Sequence, residues 1–148
     1  MSTNNENYRG AHLTLAAPAA ANSGVGPIAN DPAIIGRGTS PGFGLAVVCE
    51  TSYTLPSGLV PTGNVSVDLE GVFFLSVVAK DAISGSGKAI APGDKVYADG
   101  GTYDPTTGWL YGITLNANST SGAYFGNALD AVASGQTATI RVRLKVSG

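Results

Sequence analysis

The chain has 148 residues, of which 43% are hydrophobic and 12% are charged, and its formal net charge at pH 7 is −2. This length fits one domain, and the near-neutral charge argues against a general nucleic-acid binder, which normally carries a basic excess. No apolar run approaches the roughly 18 residues of a membrane span. The polar start "MSTNNENYRG" lacks the apolar segment of a signal peptide. With Cys49 as the one cysteine, no intramolecular disulfide can form, and we expect synthesis in a cytoplasm.

The N-terminal residues 1–12 are rich in asparagine and show no hydrophobic periodicity. This pattern predicts an extended, flexible N-terminal arm, followed by a single β domain over residues 13–148. Residues 13–44 are rich in Ala, Gly and Pro, and their prolines would interrupt a helix. We therefore expect short strands joined by long Gly/Pro-rich loops in this segment.

The β pattern becomes regular from residue 43 onward. "FGLAVVCE" is a predicted strand, and in "VSVDLEGVFFLSVV" apolar and polar residues alternate until Gly71, which we interpret as a bulge. "DKVYADG" and "GWLYGITL" predict further strands on either side of the turn "GGTYDPTTG". "ETSYTL" and "NALDAVAS" are short segments for which a helix is the alternative.

The final segment, "TATIRVRLKV", has the most regular alternation in the chain. Its apolar face is predicted to hold Ile140, Val142, Leu144 and Val146, and its polar face to hold Thr139, Arg141, Arg143 and Lys145. Strands of this length between turn signals predict an all-β fold, namely a single compact antiparallel β-barrel or sandwich.

Residue types that carry chemistry are sparse. His12 is the only histidine, so a Ser-His-Asp triad or a zinc site lacks its usual members. Cys49 lies in an apolar strand and is predicted to be a small buried hydrophobe. "GSGKA" lacks two positions of the phosphate-binding loop, and Asp99 and Asp104 lack the ligand alternation of a calcium loop. We expect no enzyme, no metal and no cofactor.

A Pro-Gly pair precedes the neighbouring charges Asp94 and Lys95 in "AIAPGDKVYADGG". Pro92 presets its own φ and Gly93 supplies the unusual φ of a tight turn, so we predict a corner between strands with no catalytic role.

Three of the eight cations in the chain, Arg141, Arg143 and Lys145, lie on one face of the last predicted strand. Two interpretations stay open. The charges could form a solvated face that prevents edge-to-edge aggregation, or they could contact an acidic partner surface or a neighbouring subunit.

Six motifs occur in the order seen in one known family: "LTLAAPAAANSG", "FGLAVV", "VDLEGVFFL", "AIAPGDKVYAD", "GNALDAVASG" and "TIRVRL". The chain thereby resembles the small phage capsid cement (decoration) proteins from about Leu13 to Leu144. The resemblance implies a virion protein without enzymatic activity that binds the outside of a phage head built from HK97-like major capsid subunits. It also implies self-association, often as a homotrimer.

On this resemblance, the N-terminal arm is the element that reaches a neighbouring subunit or the capsid. The residues expected to make capsid or subunit contacts are Asn4, Asn5, Tyr8 and Arg9 in the arm and Arg141, Arg143 and Lys145 in the last strand.

The alternative function is a virion-surface β-module that binds host glycans. Five aromatic residues are concentrated in one half of the chain: Tyr97, Tyr103, Trp109, Tyr111 and Tyr124. They could form a shallow sugar-binding platform, or they could fill the core and strand pairs.

Overall fold

The computed structural model of the chain describes residues 12–18, 30–36, 44–50 and 64–145. Within these ranges the protein has eleven strands and no helix, which confirms the all-β prediction. The strands are β1 (His12–Ala16), β2 (Pro32–Ile35), β3 (Leu45–Cys49), β4 (Asn64–Asp68), β5 (Val72–Val78), β6 (Lys95–Asp99), β7 (Thr102–Asp104), β8 (Trp109–Tyr111), β9 (Thr114–Asn116), β10 (Ala123–Ala128) and β11 (Thr137–Leu144).

The strands form a closed barrel and a six-stranded sheet. The barrel has the order β10-β11-β5-β9-β6, with β6 pairing back to β10, and the sheet has the order β1-β4-β3-β2-β8-β7. Every described strand pair is antiparallel except β5 with β9, which is parallel. The predicted antiparallel barrel therefore forms, with one parallel pair and an added open sheet.

Two segments that we predicted as continuous strands are each divided between the sheet and the barrel. In "VSVDLEGVFFLSVV", β4 belongs to the sheet and β5 to the barrel, and Gly71 between them has a φ of 123°. In "GWLYGITL", β8 and β9 are separated in the same way at Gly112, with a φ of 66°. The interpretation of Gly71 as a bulge was wrong. Glycine tolerates this left-handed backbone, so it lets the chain leave one sheet for the other.

The sheet and the barrel share one hydrophobic core. On the barrel side of the sheet, Ile34 and Leu110 pack with Phe125 and Val142 from inside the barrel. The opposite face of the same strands carries a second buried cluster, which includes Val47, Val65, Val67 and Trp109. The inner strands of the sheet thus bury residues on both of their faces. This pattern is expected for a sheet that is covered on both sides.

The sheet is curled, and one hydrogen bond connects strands that are not neighbours in it. The Trp109 indole N–H on β8 donates to the carbonyl oxygen of Ala16 on β1, at 2.7 Å. Since β4, β3 and β2 lie between these two strands in the sheet order, the sheet must bend to bring them together. The curl covers the second cluster.

The two most local predictions are confirmed. In β11, Ile140, Val142 and Leu144 are buried, as the alternation indicated. The Pro92-Gly93 corner is a turn in which Asp94 N–H donates to Ala91 O at 3.0 Å, and Gly93 has a φ of 96°. This combination is that of a type II turn. The Asp94 carboxylate accepts from Ala91 N–H at 2.8 Å, so its role is to fix the turn. Residues 127–134 end β10 and continue as a bend and an isolated β-bridge between Val132 and Ile90, so the helical alternative for "NALDAVAS" was wrong. Most of "ETSYTL" lies outside the described residues.

We predict that Gly101→Ala destabilises the protein more than Gly112→Ala does. Both glycines lie at crossings between barrel and sheet with positive φ, so alanine at either position costs about 1–2 kcal/mol of backbone strain. A Cβ at Gly101 would also lie 2.7 Å from the Tyr111 carbonyl oxygen, whereas one at Gly112 would meet nothing within 4 Å. We expect Gly101→Ala to lower the free energy of unfolding by about 1–3 kcal/mol more than Gly112→Ala. Denaturant titrations measure both free energies of unfolding. Equal losses in the two variants would contradict the close contact inferred at Gly101.

Candidate functional site

One row of outward-facing residues crosses four strands of the barrel. In the pairing register, Val72 of β5 is opposite Arg143 of β11, Arg143 is opposite Asn127 of β10, and Asn127 is opposite Lys95 of β6. One step along the ladder, Phe74 is opposite Arg141. We call this surface the outer face, defined by Val72, Phe74, Lys95, Asn127, Arg141 and Arg143.

The outer face exposes large apolar side chains beside cations. Phe74 is 64% exposed and Val72 is 49% exposed, although both lie on a regular strand whose other face is in the core. Aromatic residues and arginines are enriched at the interface positions that contribute most of the binding free energy between proteins. The surface therefore has the composition of one that would complement a protein partner with apolar and acidic groups.

The Arg141 side chain is held by an acidic partner within the chain. Its guanidinium donates from Nη2 to Asp130 Oδ1 at 2.7 Å and from Nε to Asp130 Oδ2 at 3.1 Å. The Arg141 backbone N–H also donates to Asp130 Oδ2, at 2.9 Å. These bonds lower the pKa of Asp130 to about 2. The side-chain hydrogen bond from Arg141 is the largest cause, and the backbone hydrogen bond from Arg141 is the next. The pair fixes the orientation of Arg141 beside Phe74.

Arg143 is the arginine of the outer face that has no carboxylate partner in the part of the chain that the structure describes. Its side chain is exposed between Val72 and Asn127. Across the ranges that the structure describes, it makes no ion pair and no side-chain hydrogen bond. A carboxylate on a partner could therefore pair with Arg143 without displacing an existing contact.

Lys145 does not extend the exposed part of the basic stripe. It follows Leu144, the last residue of β11, and is only 7% exposed. Its ammonium lies 6.0 Å from the ring centroid of Tyr124, and the ammonium of Lys95 lies 5.2 Å from the same centroid. Removal from water lowers the pKa of Lys145. The three predicted strand cations thus differ: Arg141 is paired, Arg143 is exposed and Lys145 is buried.

The predicted contact residues of the arm, Asn4, Asn5, Tyr8 and Arg9, lie outside the described residues. His12, which we placed at the end of the arm, is the first residue of β1, where its backbone is opposite Asp68.

The five aromatic residues do not form a common exposed platform. Trp109 and Tyr111 are buried in the second cluster, and Tyr103 packs against the shared core. Tyr97 and Tyr124 are partly exposed and contact each other edge to face, with ring centroids 6.3 Å apart. The interpretation that these aromatics fill the core is confirmed for three of them.

The remaining polar motifs of the sequence have local structural roles. Cys49 is buried as predicted, and burial together with the charge of Asp31 raises the pKa of its thiol to about 12. Asp99 accepts hydrogen bonds from the side chains of Asn116 at 3.0 Å and Asn118 at 2.9 Å. Asp104 accepts from the Thr107 hydroxyl at 2.7 Å within its own turn.

Two kinds of feature are absent from the described residues. Among them, no three His, Cys, Asp or Glu side chains form a group that could hold a metal ion. The same ranges contain no helix that is long and apolar enough to cross a membrane.

Sequence reasoning missed Val72 and Phe74, the apolar half of the outer face. In "VFFLSVV" the residues on both faces of the strand are mostly apolar. The segment therefore predicts a strand without indicating which face is buried. Ser76 was the one signal, because it shares a face with Phe74 and Val72 and is exposed. Asp130 and Tyr124 had no signal, since their contacts with Arg141 and Lys145 depend on the fold.

These features describe a small all-β module, with a barrel that exposes an apolar and basic face. The family model for phage cement proteins matches residues 8–144, nearly the whole chain. The chain therefore belongs to the phage cement protein family, and that family associates with phage capsids. No curated protein and no solved structure matches the chain.

The Asp130–Arg141 pair predicts a specific acid dependence of stability. The pKa of Asp130 is about 2 in the folded protein and about 3.9 in an unfolded chain, so its stabilising effect is complete above about pH 4. That effect is lost as the pH falls through about 2. We expect Asp130→Asn to lack this component, so its free energy of unfolding should fall less between about pH 4 and pH 2 than that of the wild type. Glu70→Gln, which removes an exposed carboxylate, should retain the wild-type fall. An Asp130→Asn curve parallel to the wild type would contradict the pairing.

Proposed function

We propose that this protein binds the outer surface of an assembled phage head and stabilises contacts between major capsid subunits of HK97-like fold. The protein is made in the host cytoplasm, associates as a homotrimer and catalyses no reaction. Its membership of the phage cement protein family supports the capsid as the partner. The observation that supports the mode of binding is the exposure of Phe74 and Val72 beside Arg143.

The outer face suits a protein partner better than a nucleic acid. A nucleic-acid surface would carry many cations and exposed stacking rings, whereas here one arginine is paired with Asp130 and the large exposed groups are Phe74 and Val72. Burying a largely exposed phenylalanine against another protein gains hydrophobic free energy, and Arg143 adds selectivity for an acidic neighbour.

Repeated weak contacts explain how a small module could strengthen a head. Packaged DNA pushes capsid subunits apart, and a protein bound to two or three of them raises the free energy needed to separate them. A homotrimer would make its second and third contacts at high effective concentration. Its avidity could then exceed the affinity of one contact by about 10²–10⁴.

The segment that precedes β1 is proposed as a second contact with the capsid or a neighbouring copy. We expect removal of residues 2–11 to weaken head binding without changing thermal stability, because β1 begins at His12 and its pairing with β4 would remain. Full-strength head binding by the truncated protein would reject this role.

Co-sedimentation with undecorated heads tests the outer face directly. We expect Phe74→Ala and Arg143→Gln each to weaken head binding by at least about tenfold, because loss of a central interface residue commonly costs more than about 1.4 kcal/mol. The matched control is Ile83→Ala, since Ile83 is 52% exposed but lies off the outer face. Head binding by both outer-face variants at the level of the control would contradict the proposal.

A further inference from the structure

Lys145 is a buried cation without an anionic partner among the residues that the structure describes. The residue is 7% exposed, and its backbone N–H donates to Phe125 O at 3.0 Å. Its ammonium makes no ion pair and no hydrogen bond with the residues that the structure describes. An ammonium carries three donors, and none of them meets an acceptor among the residues that the structure describes, although the residue is more than nine-tenths buried.

Such an arrangement costs free energy in the isolated protein. A buried charge is tolerated when it is paired and hydrogen-bonded, and an unpaired one is strongly unfavourable. The face of Tyr124 offsets part of this cost, because a cation over an aromatic ring gains about 0.5–2 kcal/mol. The ammonium of Lys95 lies near the same ring, at 5.2 Å from its centroid. Two positive charges at one ring leave an excess that an anion would neutralise.

The surroundings of Tyr124 hold this ring in place. The Tyr124 hydroxyl donates to the side-chain oxygen of Asn127, and the Asn127 amide donates to the Gly93 carbonyl oxygen at 3.0 Å. The edge-to-face contact with Tyr97 supports the ring from a second direction. The ring beside which both ammonium groups lie is thus held in place before any partner arrives.

The Lys95 side of the site is accessible from the outer face. Lys95 is exposed and stands in the same row as Asn127, Arg143 and Val72. Lys95 also borders a cleft of about 310 Å³ that is lined by Lys88 and Tyr97. The carboxylate of Asp94 in this cleft already accepts a backbone hydrogen bond in its own turn.

We propose that Lys95, Tyr124 and Lys145 form a binding site for a carboxylate group, supplied by an aspartate or glutamate side chain of a partner protein. The carboxylate would accept hydrogen bonds from both ammonium groups at the edge of the Tyr124 ring. The carboxylate has two candidate sources. The first is a capsid subunit, and for this source the inference rests on the proposed function. The other source is a second copy of this chain.

Lysine-to-methionine variants test the site, since methionine removes the charge and retains most of the aliphatic stem. We expect both Lys145→Met and Lys95→Met to weaken partner binding by at least about tenfold, because the partner's carboxylate would lose a charged hydrogen bond. Lys80→Met is the control, since it removes the same charge from a side chain that does not lie over Tyr124. Sedimentation velocity measures binding between copies, and co-sedimentation measures binding to heads.

The two measurements distinguish the sources. Weaker self-association assigns the carboxylate to a second copy, and weaker head binding with unchanged self-association assigns it to the capsid. If both variants match the control in both measurements, the proposal is overturned. If the wild type fails to bind heads, the proposed function fails, and self-association alone then decides this site.

The free energy of unfolding separates this role from a structural one. A carboxylate site predicts that Lys145→Met leaves the isolated protein at least as stable as the wild type, because it removes a buried charge that has no ion-pair partner among the described residues. Loss of stability in Lys145→Met, with wild-type binding by Lys95→Met, would show that Lys145 acts only through its contact with Tyr124 and would overturn the proposal. Lys95 is exposed, so its replacement tests binding without disturbing the core.

Discussion

The fold depends on one shared hydrophobic core between the barrel and the curled sheet. Ile34 and Leu110 of the sheet pack against residues inside the barrel, so neither part buries its apolar surface alone. The chain joins the two parts by passing from one to the other through short connections, as from β4 to β5 and from β8 to β9. Glycines with positive φ, such as Gly71 and Gly112, make these sharp passages sterically acceptable.

The outer face is a consequence of how that core is filled. Strands β5 and β11 direct alternate residues into the barrel, so the residues between them must face outward. In β11 the outward residues are polar, as solvent favours, whereas in β5 they include Val72 and Phe74. Apolar residues at exposed positions of a regular strand gain no stability in the isolated protein. Their presence is consistent with a surface that is covered in the assembled state.

Sequence reasoning predicted those elements whose signal is local. The alternation of β11 fixed its two faces, and Pro92-Gly93 identified a turn. It failed where two structures share one signal: an interruption of the alternation at Gly71 is expected both for a bulge within one strand and for a passage between strands of different sheets. It also could not find the burial of Lys145 or the pairing of Arg141 with Asp130, because these depend on residues that the fold brings together from other strands.

The central claim is that the outer face of the barrel contacts the capsid, and imaging of heads decorated with the purified protein by electron cryomicroscopy tests it most directly. The account predicts that Phe74 and Arg143 lie against major capsid subunits, with Lys145 close to a carboxylate of a capsid subunit or of a neighbouring copy. A decorated head in which this face points to solvent, while another face of the protein contacts the capsid, would contradict the account.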